Sequence, residues 1–233
     1  MDIKPISSGS SGNCYRVSDG VTTVLLDCGI TMKKILIACK FKMSEISACL
    51  VTHNHMDHIK AAKGLASYAV PVYASQGCLN ASGLQGSYFK VVKSQEQFTV
   101  GTFRIMPFDV EHDVPEPLGF LLYSTVTKEK LLYFTDTYYL KYKFSGLTHI
   151  MGECNYSKTE LQQSVDDGRV HKSLADRLLF SHMSLEHFKE FLQANDLSKV
   201  QQIYLLHLSD NNSNAERFKE EIQRMTGVEV YVC

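Results

Sequence analysis

The sequence predicts an α+β fold in which helices pack on the outside of a β-sandwich. Three observations carry that expectation. β-rich segments joined by hairpin signals follow one another through the first half. Amphipathic helical patterns occur in both halves and dominate the second. The 233 residues are 44% hydrophobic and 21% charged, which is globular composition and excludes a disordered or fibrous chain. A chain of this length buries roughly 70% of its unfolded surface and needs no disulfides. The five prolines are scattered and no low-complexity linker divides the sequence, so one domain over residues 1–233 is expected.

Residues 13–18 and 22–27, separated by Asp19-Gly20, read as a β-hairpin. Residues 48–52 form a short β-rich run ending at a histidine. The pattern then predicts a helix over 59–67 and a strand over 70–74. Residues 98–100 and 102–108 flank Gly101 as a second hairpin, and 118–124 with 130–135 read as a third across a polar turn. Ser184 caps a predicted helix over 185–194, with Phe188, Phe191 and Leu192 on one face. Residues 201–206 are a buried-type strand. A charged amphipathic helix over 214–225 stops at Gly227, and 228–232 is a last strand. The polar stretch between Asp166 and Arg177 reads as a solvated loop, with a lid or an oligomer loop reaching into a partner's site as the alternatives.

Lys+Arg is 24 and Asp+Glu is 25, a net charge of -1, so no long basic footprint for nucleic acid follows from composition. The seven cysteines are odd in number, irregularly spaced and without a CxxC pair, which reads as reduced thiols in a reducing compartment. No secretory signal and no membrane-spanning run is found, so a cytoplasmic protein without membrane attachment is expected.

The most informative segment is Thr52-His53-Asn54-His55-Met56-Asp57-His58, with four potential metal ligands in six residues. His53 and His55 share a side on an extended strand exit, because side chains alternate with period two. A turn into the following helix swings Asp57 and His58 to a neighbouring site. One segment thus offers two ligands to each of two metals, the arrangement that hydrolyses phosphate esters and amides. Further ligands stand at later strand ends: His112 in Glu111-His112-Asp113, Asp136 in Phe134-Thr135-Asp136-Thr137, and His207 in Leu205-Leu206-His207-Leu208-Ser209. His149, His171 and His187 fit no ligand pattern and read as structural.

Taken together these segments resemble the metallo-β-lactamase-fold superfamily. The resemblance implies a four-layer αββα sandwich of two similar halves, about 1–125 and 126–233, with a dinuclear site at one edge. It implies one metal on His53, His55 and His112, a second on Asp57, His58 and His207, and Asp136 bridging them. Zinc suits the histidines, and manganese suits the carboxylates. Bound there, the metals supply Lewis acidity and a water-derived nucleophile at neutral pH.

Two further segments resemble the phosphodiester branch, in particular transfer-RNA 3′-end processing nucleases. Leu179-Phe180-Ser181-His182-Met183-Ser184 is similar to their His-x-Ser/Thr element, and Met151-Gly152-Glu153-Cys154-Asn155 to their buried-strand Glu. Carried over, His182 protonates the leaving oxygen and Glu153 orients it, a contribution of about 10²–10⁴ in rate. With Asp57, these are the expected catalytic residues. The opening Ser7-Ser8-Gly9-Ser10-Ser11-Gly12-Asn13 and the late His207-Leu208-Ser209-Asp210-Asn211-Asn212 resemble a narrower bacterial and phage clade. It holds exonuclease-like hydrolases and phage anti-Pycsar cyclic-nucleotide phosphodiesterases. In that resemblance Ser10, Ser11, Asn13 and Asn211 contact the substrate phosphate, and the protein is a homodimer. Tyr138, Tyr139, Tyr142 and Tyr156 stand near the site loops and are candidates for stacking on a base.

The balanced charge favours a small ligand, so the leading expectation is a dinuclear phosphodiesterase opening 3′,5′-cyclic nucleotides to linear monophosphates. Such an activity would block cyclic-nucleotide antiviral signalling. The alternative is a metal-dependent DNA exonuclease of the same fold, acting on single-stranded nucleic acid. It predicts a basic path to the site.

Overall fold

Residues 1–91 of the chain mix short strands with short helices, six strands from residue 89 to residue 153 follow one another with no helix between them, and residues 158–232 combine longer helices with two further strands; the computed structural model describes all residues, 1–233. Two units are distinguished: residues 1–109 with 114–129, and residues 110–113 with 130–233.

The first unit opens with β1 (Asp2–Ser7), β2 (Cys14–Ser18) and β3 (Thr23–Leu26), paired antiparallel. α1 (Met32–Ala38) leads to β4 (Ala48–Leu50). Then come α2 (Met56–Ile59), α3 (Ala62–Ser67), β5 (Val72–Ala74), α4 (Gln76–Ala81) and β6 (Phe89–Val91). β3, β4, β5 and β6 pair in parallel, so the sheet runs β1-β2-β3-β4-β5-β6. Leu25, Cys49, Val51, Ile35, Leu65 and Val72 belong to one buried cluster on this sheet. Each large aliphatic side chain so buried contributes about 1.5–3 kcal/mol. β7 (Phe98–Val100), β8 (Phe103–Asp109) and β9 (Leu118–Ser124) form an antiparallel ladder.

Within this unit the helix expected over 59–67 is instead two pieces, α2 and α3. The Asp57 carbonyl accepts the Asn13 N–H at 2.7 Å and the His58 carbonyl accepts the Cys28 N–H at 2.7 Å. Ala61 N–H goes to the Cys28 carbonyl at 2.9 Å. Tertiary partners take the groups that a continuous helix would have used. Strands β1 and β6 and helices α1 and α4 are additional to the elements expected from sequence.

The second unit is built on β10 (Lys130–Phe134), β11 (His149–Glu153), β12 (Gln202–Leu206) and β13 (Glu229–Val232), all parallel and adjacent in that order. Parallel strands buried on both faces read as near-continuous apolar runs, as Leu131-Leu132-Tyr133-Phe134 does. Its helices are α5 (Lys158–Asp166), α6 (Lys172–Ser181), α7 (Leu185–Gln193) and α8 (Ala215–Thr226). The Ser184 side chain accepts from the His187 N–H, capping α7 as expected, and Gly227 ends α8 with φ 68°. Phe134 packs against Phe188 and Phe191 of α7, with ring centroids 6.1 and 5.4 Å apart.

One expectation is overturned here. The stretch from Asp166 to Arg177 is not a loop: α6 occupies Lys172 onward and only residues 167–171 separate it from α5. His171 caps α6 through its own side chain, and Leu161, Val170 and Ala175 cluster with Tyr156. Apolar Leu174, Leu179 and Phe180 are exposed beside the charged residues of α6, so the helix shows no clean apolar stripe in the sequence.

Candidate active site

In the first unit the site begins at the carboxyl end of β3. Asp27 is fully buried with φ 55°, a left-handed conformation that is uncommon for a non-glycine residue and concentrates at functional sites. Its Oδ1 accepts the Thr52 N–H at 2.8 Å and its Oδ2 accepts from His58 Nδ1 at 2.8 Å. With the proton fixed on Nδ1, the lone pair of His58 lies on Nε2. The Thr52 hydroxyl donates to Asp27 at 3.1 Å and stands 3.0 Å from His53 Nδ1. Its single proton being committed, it accepts from His53, whose lone pair therefore also lies on Nε2. One carboxylate thus sets the tautomers of two histidines, as is usual for metal-binding imidazoles. The ring centroid of His53 is 4.8 Å from that of His55 and 4.2 Å from that of His58, and Asp57 Oδ2 is 3.5 Å from His58 Nε2. The four residues of the HxHxDH segment converge.

A backbone clasp holds that segment. Gly29 N–H donates to the Asn13 carbonyl at 2.8 Å, completing the set with Asn13–Asp57 and Cys28–His58. A Cβ on Gly29 would stand 1.5 Å from the Asp57 carbonyl oxygen, so only glycine fits. Asn13, expected to touch substrate, is buried: its Oδ1 accepts from Gly9 N–H and from Tyr15 hydroxyl, and its Nδ2 lies 3.1 Å from His58 Nε2. Its amide is occupied in holding the loop, which corrects that expectation. Ser10 and Ser11 stay exposed in the loop between β1 and β2, on the turn closed by Gly12 N–H to the Gly9 carbonyl.

In the second unit the carboxyl ends of β10, β11 and β12 deliver Asp136, Glu153 and His207, with Glu153 in register with Leu206. Ligands gather at such strand ends in parallel sheets. Asp136 and His207 have φ 48° and 53°. Glu153, fully buried, accepts on Oε1 from His182 Nδ1 at 2.6 Å and from His207 Nδ1 at 3.0 Å, and on Oε2 from the backbone of Thr137 and Met183. Asp136 Oδ1 lies 3.4 Å from His207 Nδ1, and its Oδ2 lies 3.9 Å from His112 Nε2. Side-chain atoms of Asp136, Glu153, His182 and His207 all fall within 4.8 Å of one another. His182 caps the end of α6, and its side chain keeps 17% of its surface.

Burial pushes the Glu153 carboxyl up, but the charge of His182 and hydrogen bonds from His182 and His207 overcome it and hold the group below its ordinary value. Burial likewise disfavours the charged form of His182, and the Glu153 carboxylate overcomes it, raising the imidazole above its ordinary value. The result is a buried carboxylate beside a mostly buried histidine whose proton is held more firmly than a free imidazole's, the electrostatics of a general acid.

The second unit therefore carries a set of histidine and carboxylate donors, Asp136, Glu153, His182 and His207, close enough to hold a divalent metal, and the first unit brings His53, His55, Asp57 and His58 together. Sequence reading missed the residues behind them. Asp27 and Thr52 orient His58 and His53, and Asn155 donates to the His207 carbonyl at 2.7 Å. Asp27 had a signal, an acid ending the apolar run Val24-Leu25-Leu26, the pattern that marks Asp136. Tyr156 is buried, its hydroxyl pushed up to about 12 by burial, which removes it from the residues that stack on a base. Asn211 is exposed, and its carbonyl accepts from the Ser164 hydroxyl at 2.7 Å. His187 donates from Nδ1 to the Tyr138 carbonyl at 3.0 Å, a structural role as expected.

Strand-end donors of this kind on mixed α/β sheets define a metal-dependent hydrolase fold, and residues 22–208 match the family model described as the beta-lactamase superfamily domain. The chain belongs to that family. The solved metallo-beta-lactamase fold protein YhfI from Bacillus subtilis superposes with a TM-score of 0.74 at 16% identity, covering 99% of this chain and 95% of YhfI, so the fold is the expected α+β metallo-β-lactamase fold. Among relatives, the chain is 28% identical to exodeoxyribonuclease YycJ of Bacillus anthracis over 94% of this chain and 87% of the relative. It is also 28% identical to exodeoxyribonuclease WalJ of Streptococcus pneumoniae over 91% of this chain and 82% of WalJ.

Proposed function

We propose that the chain is a metal-dependent phosphodiester hydrolase that degrades DNA from an end. The observation that carries this reading is the Glu153–His182 pair at 2.6 Å beside Asp136 and His207. An alkoxide leaving group needs a proton, and this pair supplies one. The two similar exodeoxyribonucleases favour DNA over the cyclic nucleotide that composition suggested.

In this reading His53, His55 and His112 would hold one divalent ion and Asp57, His58 and His207 a second, with Asp136 a ligand to both. The donor set fits zinc, with manganese as the alternative. Bound, the ions supply Lewis acidity and a nucleophile drawn from water. The chain's own residues do the rest. Asp27 and Thr52 occupy the Nδ1 side of His58 and His53, so that Nε2 is the nitrogen each would offer to a metal. Glu153 holds Nδ1 of His182, so that the Nε2 proton passes to the departing sugar oxygen. Ser10, Ser11 and Asn211, exposed on loops, are the residues assigned to phosphate in this reading.

The test is to offer zinc- or manganese-loaded protein end-labelled single- and double-stranded DNA beside cyclic UMP, CMP, AMP and GMP. Progressive shortening of DNA from one end, with cyclic nucleotides intact, is the expected result. Linear monophosphates from the cyclic substrates with undegraded DNA would replace this reading by the small-ligand one, which the net charge of -1 favours.

A further inference from the structure

Immediately after Asp136 the chain runs Thr137-Tyr138-Tyr139-Leu140-Lys141-Tyr142-Lys143-Phe144 without regular secondary structure. Its burial alternates. Tyr139, Lys141 and Lys143 are exposed, whereas Leu140 is buried and Tyr142 and Phe144 are half-buried. Because burial alternates along it, one side of this segment anchors it and the other presents an aromatic ring followed by two ammonium groups. Exposed Tyr139 keeps 52% of its surface. No acidic residue occurs between Asp136 and Glu153, so the segment is locally cationic in a chain whose net charge is -1.

The segment is tied to the site at one end and to the core at the other. Thr137 N–H donates to Glu153 Oε2 at 3.1 Å, and the Thr137 hydroxyl donates to the Tyr139 carbonyl at 2.8 Å. The Tyr138 carbonyl is held by His187, and Phe144 N–H donates to Asn195 Oδ1 at 2.7 Å. Lys141 lies over the Tyr142 ring, 5.4 Å from its centroid, and 3.7 Å from Glu111. That ion pair is half exposed and therefore weak enough for a phosphate to replace it. A cavity of about 180 Å³ opens beside Tyr139, Lys141 and Lys143 against His187, Phe191 and one carboxylate, Glu190. It takes the edge of a base and is too small for a whole drug-sized ligand.

We propose that Tyr139, Lys141 and Lys143 form a track for single-stranded DNA leading away from Asp136, with Tyr139 stacking on a base and the two lysines on successive phosphates. Aromatic rings interleaved with cations along an extended groove are how proteins bind single strands without sequence preference. The track deepens the exonuclease reading and rests on it for its place beside the catalytic groups. It also answers the balanced composition: the basic path is local, and a global charge count does not register it.

The experiment measures binding of fluorescein-labelled oligo(dT) by anisotropy in EDTA, across a salt series, and separately DNA degradation with metal. Tyr139→Ala weakens binding at least about fivefold, and Tyr139→Phe restores it, because the ring and not the hydroxyl stacks. The double variant Lys141→Gln/Lys143→Gln lowers the slope of log affinity against log salt by about 1.4, two phosphates at about 0.7 each. In degradation, KM for single-stranded DNA rises in parallel while kcat is kept. Wild-type protein that does not bind oligo(dT), variants that bind as wild type does, or an equal effect from Lys33→Gln/Lys34→Gln on α1 would each overturn the track. DNA-binding loss in the variants, with no DNA degraded by any preparation, would uphold the track and overturn the exonuclease reading instead.

Discussion

Asp27 touches two of the proposed metal-holding histidines, one directly and one through Thr52, although it is not itself among them. Removing it frees His58 to take the other tautomer and leaves the Thr52 hydroxyl without its acceptor. Asp27→Ala should therefore lower zinc affinity about 10–100-fold in a competition titration with a chromophoric chelator. Wild-type affinity in that variant would assign Asp27 to packing alone. The Glu153–His182 pair makes a second prediction at this scale. The His182 imidazole is raised above its ordinary value chiefly because the Glu153 carboxylate outweighs burial, so its protonated, proton-donating form survives to higher pH than a free imidazole's. As pH rises through the raised value the acid is lost and kcat falls. Glu153→Gln removes the charge that raises it, so the alkaline limb of the kcat profile moves to lower pH. His182→Ala lowers kcat about 10²–10⁴-fold and removes that limb. An unmoved limb in Glu153→Gln would show that another group donates the proton.

At the scale of elements, turns and not helices hold the first unit's donors. The Asp57–Asn13, His58–Cys28 and Gly29–Asn13 backbone bonds join three loops, and Gly29 leaves the space in which they meet. The hairpin turn between β2 and β3 is fastened in another way. Asp19 accepts from the backbone of Val21 and Thr22, and from the hydroxyls of Thr102 at 2.6 Å and Ser124 at 2.7 Å, at the ends of β8 and β9. Burial pushes its carboxyl up, but these hydrogen bonds outweigh it and hold the group below its ordinary value. A carboxyl lowered on folding stabilises above its unfolded pKa, and the contribution is lost as pH falls through the folded value. Asp19→Asn should cost about 2 kcal/mol at neutral pH and less in acid, where the wild type has lost the same term. Urea unfolding at the two pH values reads the difference, and an equal loss at both would contradict it. The helix Ser184 starts was legible because a capping residue preceded a clean apolar stripe, whereas α6 hid behind exposed Lys172, Asp176 and Arg177.

For the whole molecule, the consequence lies in linkage between metal and folding. Both donor sets exist only when the strand ends are in place, so ions that bind the native chain stabilise it by mass action, about 2.7 kcal/mol at a hundredfold excess over Kd. Zinc should raise the melting temperature and EDTA should lower it. His55→Ala and Asp57→Ala should shrink the zinc-induced shift without unfolding the chain. A melting curve indifferent to zinc and to EDTA would count against resident metal. No helix is long and apolar enough to cross a membrane. Near-neutral net charge keeps long-range steering of DNA small, so encounter should depend on the local cations after Asp136.

By itself the sequence offered the candidate donors: four in the six residues of the HxHxDH segment and single ones at His112, Asp136 and His207, with Glu153 and His182 singled out through the family resemblance. Strong period-two and apolar runs placed β2, β3, β8, β9, β10 and β12 and the capped α7. Only the tertiary structure decided what orients those donors. Asp27 and His58 are 31 residues apart, Glu153 and His207 are 54 apart, and Asn13 meets His58 across 45. Hydrogen bonds over such separations leave no local periodicity, since they depend on which strand lies beside which and on the left-handed turns that aim each carboxylate. The same holds for the outward face after Asp136, where burial of Leu140, and not composition, chose which side of the segment would meet solvent.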